Sequence, residues 1–534
     1  MDPVKPLSSV AVIGGGPAGL TAAYILAKAG VPVTVFEADA RYVGGIARTE
    51  VYKGFRFDIG GHRFFSKSKE VEDLWTEVLG ADMLERPRSS RIFYRGKYFT
   101  YPLRAFEALV KLGPIEALLC VLSYARSRLF PIRDAKSFQD WVTNQFGARL
   151  FGIFFKTYTE KVWGMSCREI SADWAAQRIK GLSLGQAILH ACKASFRSFM
   201  KPGVNTGDRS KMIKTLIDSF RYPRLGPGMM WEKFASEITR RGGTIVMGAR
   251  VVGAQYDSSA KQWTVTCERH GERERTQERI SAAYVLSSAP LRELALSLSP
   301  EPDAQTIAAA NELRYRDFLI VALVLKSKEH FTDNWVYIHD PSVKVGRIQN
   351  FKSWSPEMVP SSEFSCYGLE YFCFEGDGLW NSSDEDLLTL AKRELEAIGI
   401  AKASDVLDGC VVRQKKAYPV YDDSYASAVE VIRKSLEKSY PGMIPIGRNG
   451  MHKYNNQDHA MMTGILAARN IIAGRSIFDL WAVNQDAEYH EAGTAGDSGG
   501  RLVPRRFDSA REYNSLPGHS QAHSSVENDV QKSD

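Results

Sequence analysis

Four apolar residues in a row, Val10 to Ile13, run straight into Gly14-Gly15-Gly16-Pro17-Ala18-Gly19, and Leu20 to Ala29 follow with helical periodicity as far as Gly30. A second apolar run, Val31 to Phe36, closes on Glu37. This order predicts a strand, a tight turn, a helix and a second strand: a complete βαβ unit. The text from about Ser66 to Pro131 predicts helices, and Phe138 to about Ser198 predicts more. Alternating segments return at Gly243 to Val252, around Trp263 to Cys267 and at Ala283 to Ser287, read as further strands of the first sheet. Asp317 to Leu325, Trp335 to His339, Arg347 to Phe351 and Tyr367 to Phe374 predict a second, mostly antiparallel sheet of the kind that walls a substrate chamber. Met461 to Ile472 reads as a helix, for which Gln457 and Asp458 are candidate N-terminal caps. Beyond about Ala487 the apolar periodicity stops in a Gly- and Ser-rich text, read as a disordered tail.

Composition narrows the class. The 534 residues suggest two or three domains, and 44% hydrophobic with 25% charged residues is an ordinary globular balance. A net charge of +7 without a concentrated basic stripe gives no electrostatic case for nucleic acid. Seven scattered cysteines, with no CxxC pair or His/Cys cluster, argue against a disulfide framework or a metal site and for a reducing cytoplasm. The opening MDPVKPLSS lacks the basic and apolar regions of a signal peptide.

The Gly14-x-Gly16-x-x-Gly19 spacing carries chemistry because of where it sits. Directly after a strand and opening a helix, with Pro17 and Ala18 between the glycines, it lets bare backbone approach a pyrophosphate at a helix N-terminus. Glu37, ending the next strand, can accept hydrogen bonds from ribose hydroxyls. The plain alternative is a Gly-rich turn with no ligand. Gly44-Gly45-Ile46-Ala47-Arg48-Thr49 and Phe57-Asp58-Ile59-Gly60-Gly61-His62 follow. Paired glycines again permit close approach, and Arg48 can offset diphosphate charge; its plain alternative is a solvated surface arginine.

These blocks resemble the glutathione-reductase-type FAD flavoproteins of the amine oxidase and phytoene desaturase branch. Within it, several segments are most similar to the UDP-galactopyranose mutases, in eukaryotic-type form. They are Gly60 to Ser66, Lys97 to Pro102, Phe154 to Gly164, Arg221-Tyr222-Pro223, Asn350 to Pro356, and Gly447-Arg448-Asn449-Gly450 leading to Lys453 to His459. The resemblance implies an α/β fold: a glutathione-reductase-type FAD-binding Rossmann domain with a mixed-sheet substrate domain and a helical insertion. The FAD-binding part is expected over 1–65, 201–300 and 431–486, the helical insertion over 66–200, the substrate sheet over 301–430 and the tail over 487–534. FAD is the implied cofactor, bound noncovalently. Gly14, Gly16, Pro17, Ala18, Gly19, Glu37, Gly44, Gly45, Arg48, Gly61, His62, Val251, Gly447, Arg448, Asn456 and Gln457 would contact it, with His62 against the flavin ring. Tyr158, Trp163, Arg168, Lys326, Asn350 and Tyr454 would contact the substrate. Core packing is the plain alternative for Tyr158 and Trp163, and a solvated helix charge for Arg168. The family's strand arginine aligns on Leu325 or Lys326, and Arg178 and Lys180 are further candidate cations.

In the mutases, reduced FAD attacks the anomeric carbon of the sugar through N5, the diphosphate leaves, and the ring opens and recloses. That chemistry on a nucleotide- or lipid-diphosphate-linked sugar is the first functional expectation. The alternative is an oxidoreductase of the amine oxidase or desaturase type, passing a hydride from a small or lipid-like substrate to FAD. A non-catalytic flavin-binding protein is a third reading. Ala105 to Phe130 is apolar with Lys111, Arg126 and Arg128 interspersed, but Glu116 and the Gly113-Pro114 break leave it short of the ~20 residues that span a bilayer. A buried helical pair is expected there, with a peripheral membrane contact as the alternative.

Overall fold

The computed structural model describes residues 9–101, 103, 105–172, 219–270, 275–326 and 331–484. Arg178, Lys180, the helical text past residue 172 and the tail lie outside the described residues. The chain is α/β. Strand β1 (Val10–Ile13), helix α1 (Pro17–Lys28) and strand β2 (Val33–Phe36) form the expected unit. All of β1 is buried, as a strand covered by helices on both faces must be. It lies at the centre of a five-stranded parallel sheet in the order Met443–Pro445, Tyr284–Ser287, β1, β2, Thr244–Val246. One core packs α1 against Gln457–Ile472 and Gly228–Arg240 through Leu20, Leu26, Trp231, Phe234, Met461 and Ile465.

Two readings of the alternating text are corrected. Ala249–Asp257 and Gln262–His270 do not extend the parallel sheet; they form a separate four-stranded sheet with Arg275–Ala282 and Leu298–Ser299. Alternation reports one half-buried face and does not say which sheet owns the strand. Likewise the region read as helical after Ser66 contains strands Met83–Pro87, Ser90–Tyr94 and Lys97–Thr100.

The second sheet has seven strands in the order Val406–Pro419, Tyr315–Lys326, Phe364–Cys373, Arg347–Asn350, Trp335–Ile338, Ser90–Tyr94, Lys97–Thr100. It is antiparallel except where Trp335–Ile338 runs parallel to Ser90–Tyr94. Against it pack the helices Phe138–Phe146 and Thr157–Trp163 and the intervening turns, through Phe99, Phe138, Phe151, Phe154 and Trp163. Among the described residues no helix is long and apolar enough to cross a membrane.

The pair Ala105–Leu112 and Pro114–Leu129 corrects a further expectation. Its inner face reaches the core at Ala108 and Cys120, but Val110, Ile115, Leu118, Leu119, Leu122, Leu129 and Phe130 are exposed. The apolar periodicity is compatible with burial, but among the described residues only one face of the pair has a neighbour.

Candidate active site

Gly14 leaves β1 with φ +96° and donates its N–H to Phe36 O at 2.8 Å. Gly16 is the cap of α1, and the first i to i−4 bond of the helix runs from Leu20 N to Gly16 O at 2.9 Å, so the amides of Ala18 and Gly19 precede the helical ladder. A Cβ at Gly19 would stand 2.0 Å from Gly14 O, whereas one at Gly16 would meet nothing within 4 Å. Gly19 is therefore required by the fold, and Gly16 faces open space. The second glycine pair is tied to the first: Gly44 N donates to Gly15 O at 2.7 Å, and a Cβ at Gly45 would lie 3.5 Å from Gly16 Cα.

Glu37 accepts from Gly15 N at 2.7 Å and from Asp39 N at 2.8 Å. Burial raises its carboxyl, and those two amides oppose the rise. Val251 follows Ala249, whose N–H reaches Glu37 O at 2.8 Å, so it borders the same end of the sheet. Arg48 is not a solvated surface arginine. Its Nε meets Glu50 Oε1 at 2.7 Å, and its Nη1 donates to Gln414 Oε1 at 2.6 Å and Gly45 O at 3.1 Å.

His62 lies beyond Gly61, with Nε2 2.9 Å from Ile59 O. A carbonyl only accepts, so Nε2 carries the proton. Burial first, then the charges of Arg448 and Arg347, lowers this imidazole to about 4, and it is neutral near pH 7. Arg347 reaches this point from strand Arg347–Asn350; a Cβ at Gly60 would be 3.9 Å from both Arg347 Nη2 and His62 Nε2. Arg347 Nε donates to Glu370 Oε2 at 2.7 Å, and Gln349, on the same face of the strand, donates to Glu370 Oε1. Burial opposes the charge of Arg347, and Glu370 and the phenols of Tyr158 and Tyr418 together outweigh it.

An aromatic cluster stands beside these charges. Tyr418 and Tyr454 stack at 5.7 Å, Trp163 is 6.3 Å from Tyr454, and the Arg448 guanidinium lies 5.0 Å over Tyr454 and 5.3 Å over Tyr418. Burial and the neighbouring Tyr454 push Tyr418 up to about 12. Arg448 is fixed by Asn455 O at 2.8 Å and Ala417 O at 3.2 Å; no ion pair of Arg448 is found among the described residues. Tyr158 stacks on His339 at 4.9 Å, and burial raises its phenol despite the charge of Arg347.

Not every expected residue joins this cluster. Lys326 is the exposed last residue of Tyr315–Lys326. Ten residues at about 3.3 Å each put it about 33 Å along the strand from Arg316, whose Nε donates to Val162 O beside Trp163. The strand arginine beside His62 is Arg347, not a residue at the Leu325–Lys326 position; Arg316, at the other end of that strand, is buried. Asn350 points to the other face, its Nδ2 donating to Phe331 O at 2.8 Å; its neighbour Gln349 is the one that faces Gly61. Arg168 is exposed after Thr157–Trp163, its backbone N bonded to Ser166 Oγ. The cap of Gln457–Ile472 is Asn456 rather than Gln457 or Asp458, and Asn456 N reaches His459 Nδ1 at 3.3 Å. Gln457, at the first helical position, donates to Arg63 O at 3.1 Å. Gly447 N donates to Thr463 Oγ1 at 2.9 Å, and a Cβ there would be 2.9 Å from Ala18 Cβ. Arg347, Gln349, Glu370 and Tyr418 were not singled out in the sequence.

These residues fit a dinucleotide. Gly16 leaves a cradle, the α1 terminus offers amides and a favourable dipole, and the buried Oε1 atoms of Gln349 and Gln457 have no hydrogen-bond partner among the described residues. No group of three or more His, Cys, Asp or Glu among the described residues could hold a metal.

Residues 17–472 match the family described as flavin containing amine oxidoreductase. The chain is 23% identical over 471 residues to protoporphyrinogen oxidase 2, chloroplastic/mitochondrial, of Arabidopsis thaliana, covering 82% of this chain and 89% of that protein. It is 28% identical over 175 residues to dTDP-fucopyranose mutase of Escherichia coli, covering 31% of this chain and 45% of that one. A crystal structure of reduced UDP-galactopyranose mutase shares the fold, with a TM-score of 0.75 at 20% identity over 91% of this chain and 99% of the other. By the extent of the family match, this chain belongs to the flavin containing amine oxidoreductases.

Proposed function

We propose that this flavoenzyme binds FAD and isomerises a sugar linked to a nucleotide diphosphate or a lipid diphosphate. The FAD diphosphate would meet the amides of Ala18 and Gly19 and the bare backbone of Gly14, Gly16, Gly44 and Gly45. Glu37 and Val251 would border the adenosine end, Arg48, Gly61, His62, Gly447, Asn456 and Gln457 the flavin end, and Arg448, over Tyr418 and Tyr454, the junction of flavin and substrate. Bound and reduced, the flavin supplies a nucleophilic nitrogen for the anomeric carbon.

The observation that carries this reading is the charge balance of the aromatic cluster. Arg347 and Arg448 bring two guanidinium groups, Glu370 brings the one carboxylate found against them among the described residues, and neutral His62 adds none. An apolar or cationic substrate has no use for a surplus positive charge at a desolvated site, and a diphosphate does. Tyr158, Trp163, Tyr418 and Tyr454 would pack the sugar and its carrier and keep water out, and the Tyr454 phenol would donate to a phosphate oxygen.

The second reading is hydride oxidation, supported by the similarity to protoporphyrinogen oxidase across most of both chains. Product analysis separates the two. Dithionite-reduced enzyme incubated with a panel of nucleotide sugars should give a ring isomer with no net redox change; a dehydrogenated product formed by oxidised enzyme supports the oxidase instead.

A further inference from the structure

The helix Pro114–Leu129 sets Ile115, Leu118, Leu119, Leu122 and Leu129 along one stripe, at the spacings that share a helix face. Its opposite face is anchored at Cys120 and Ser127, so the stripe points away from the described core. Exposure reaches 78% at Ile115, 73% at Leu129 and 77% at Phe130, with Val110 of the preceding helix at 63%. A contiguous apolar patch of this kind marks an interaction surface.

Charge indicates what covers it. Each acid in the helix pair is already matched: Glu116 by Arg149, and Glu107 by Lys111 at 2.7 Å. Just beyond the pair, Asp134 is matched by Lys136 at 3.1 Å. Arg126 interrupts the stripe between Leu122 and Leu129, Arg128 and Arg133 are exposed near its C-terminal end, and none of the three forms an ion pair among the described residues. An apolar stripe that ends in uncompensated arginines, whose long stems can carry the charge up to the headgroups, is complementary to acyl chains beneath anionic headgroups. A second copy is a poorer partner, because a two-fold interface would bring the same arginines face to face. At 16 residues the helix is about 24 Å long, shorter than the ~30 Å hydrocarbon layer, and suited to lying in the interface.

We infer that Pro114–Leu129, with Val110 and Phe130, is a peripheral docking surface for an anionic bilayer. It docks parallel to the membrane plane, with Arg126 reaching from the stripe to the headgroups and Arg128 and Arg133 above it. The inference does not depend on the reaction proposed above. The inner face belongs to the same packed core as Trp163 and, at its edge, Tyr454, so docking would set the lipid surface against the core that carries the aromatic cluster.

The test is co-sedimentation of the full-length, flavin-loaded protein with vesicles of phosphatidylcholine alone or mixed with phosphatidylglycerol. The protein should pellet with the anionic vesicles, and added salt should weaken binding. Leu118→Glu with Leu122→Glu, or Arg126→Glu with Arg128→Glu, should each reduce binding by at least roughly tenfold. Flavin absorbance and melting temperature should not change, since these side chains are exposed. Wild-type protein that stays in the supernatant overturns the inference. So does a wild-type dimer that the leucine variants convert to monomer, which makes the patch a subunit interface. A large fall in melting temperature in either double variant also overturns it, because the patch is then covered by the protein's own chain, residues 173–218 included.

Discussion

Arg347 and Glu370 stand directly opposite each other on neighbouring antiparallel strands, with Nε and Oε2 2.7 Å apart in the interior of the protein. Breaking such a pair strands a buried charge. Arg347→Ala should cost roughly 3–5 kcal/mol in chemical denaturation. Combining Arg347→Met with Glu370→Gln should recover most of that stability while leaving substrate binding weak. Restored binding in the double variant would assign Arg347 to the fold alone.

Gly16 and Gly19 separate cofactor binding from folding. Gly16→Val should leave the protein folded and largely colourless, since its Cβ meets no protein atom. Gly19→Ala should destabilise by about 1–3 kcal/mol or more, because its Cβ would press on Gly14 O. Visible absorbance per polypeptide and melting temperature read the two effects separately, and heat release should yield FAD.

How much of this could be read along the chain follows from the range of each contact. Gly14, Gly16, Gly19 and Glu37 were legible because one βαβ unit brings them together within a few dozen residues. Arg347 was not, since its meaning comes from Glu370, 23 positions away, and from Tyr418 on a third strand. The resemblance placed Asn350 at the substrate, but a strand's facing cannot be fixed without its neighbours, and one residue's slip reverses it. Ser90–Tyr94 read as helix for the same reason: its partner, Trp335–Ile338, is far away in sequence. Burial is equally nonlocal, which is why the exposed stripe of Pro114–Leu129 read as core.

Tyr454→Phe keeps the ring stacked on Tyr418 and beneath Arg448 while removing the hydroxyl. Substrate should bind about 1 kcal/mol more weakly, and somewhat more if the lost partner is a charged phosphate oxygen. Flavin content should be unchanged. Calorimetric titration and absorbance check the two halves.

Two buried histidines, His339 and His452, and the half-buried His62 set an acid limit on stability. His62 and His452 are lowered to about 4 and His339 to about 3, all chiefly by burial, against an ordinary value of 6.5. Between pH 6.5 and about 4 the unfolded chain takes up protons at these positions and the folded chain does not. Stability should therefore fall as the pH drops through that window, by up to about 1.4 kcal/mol per pH unit for each group, and be insensitive to these groups above it. His339→Phe, which keeps a ring against Tyr158, should flatten the dependence by about one proton in denaturation series across that range.

The central claim is isomerisation without consumption of electrons, and anaerobic stopped-flow absorbance on nucleotide sugars such as UDP-galactopyranose tests it most directly. The account predicts that reduced enzyme turns over repeatedly with no acceptor, while oxidised enzyme is inert and keeps its colour when substrate is added. Stoichiometric bleaching of the oxidised flavin by substrate, with turnover dependent on an acceptor, would contradict it.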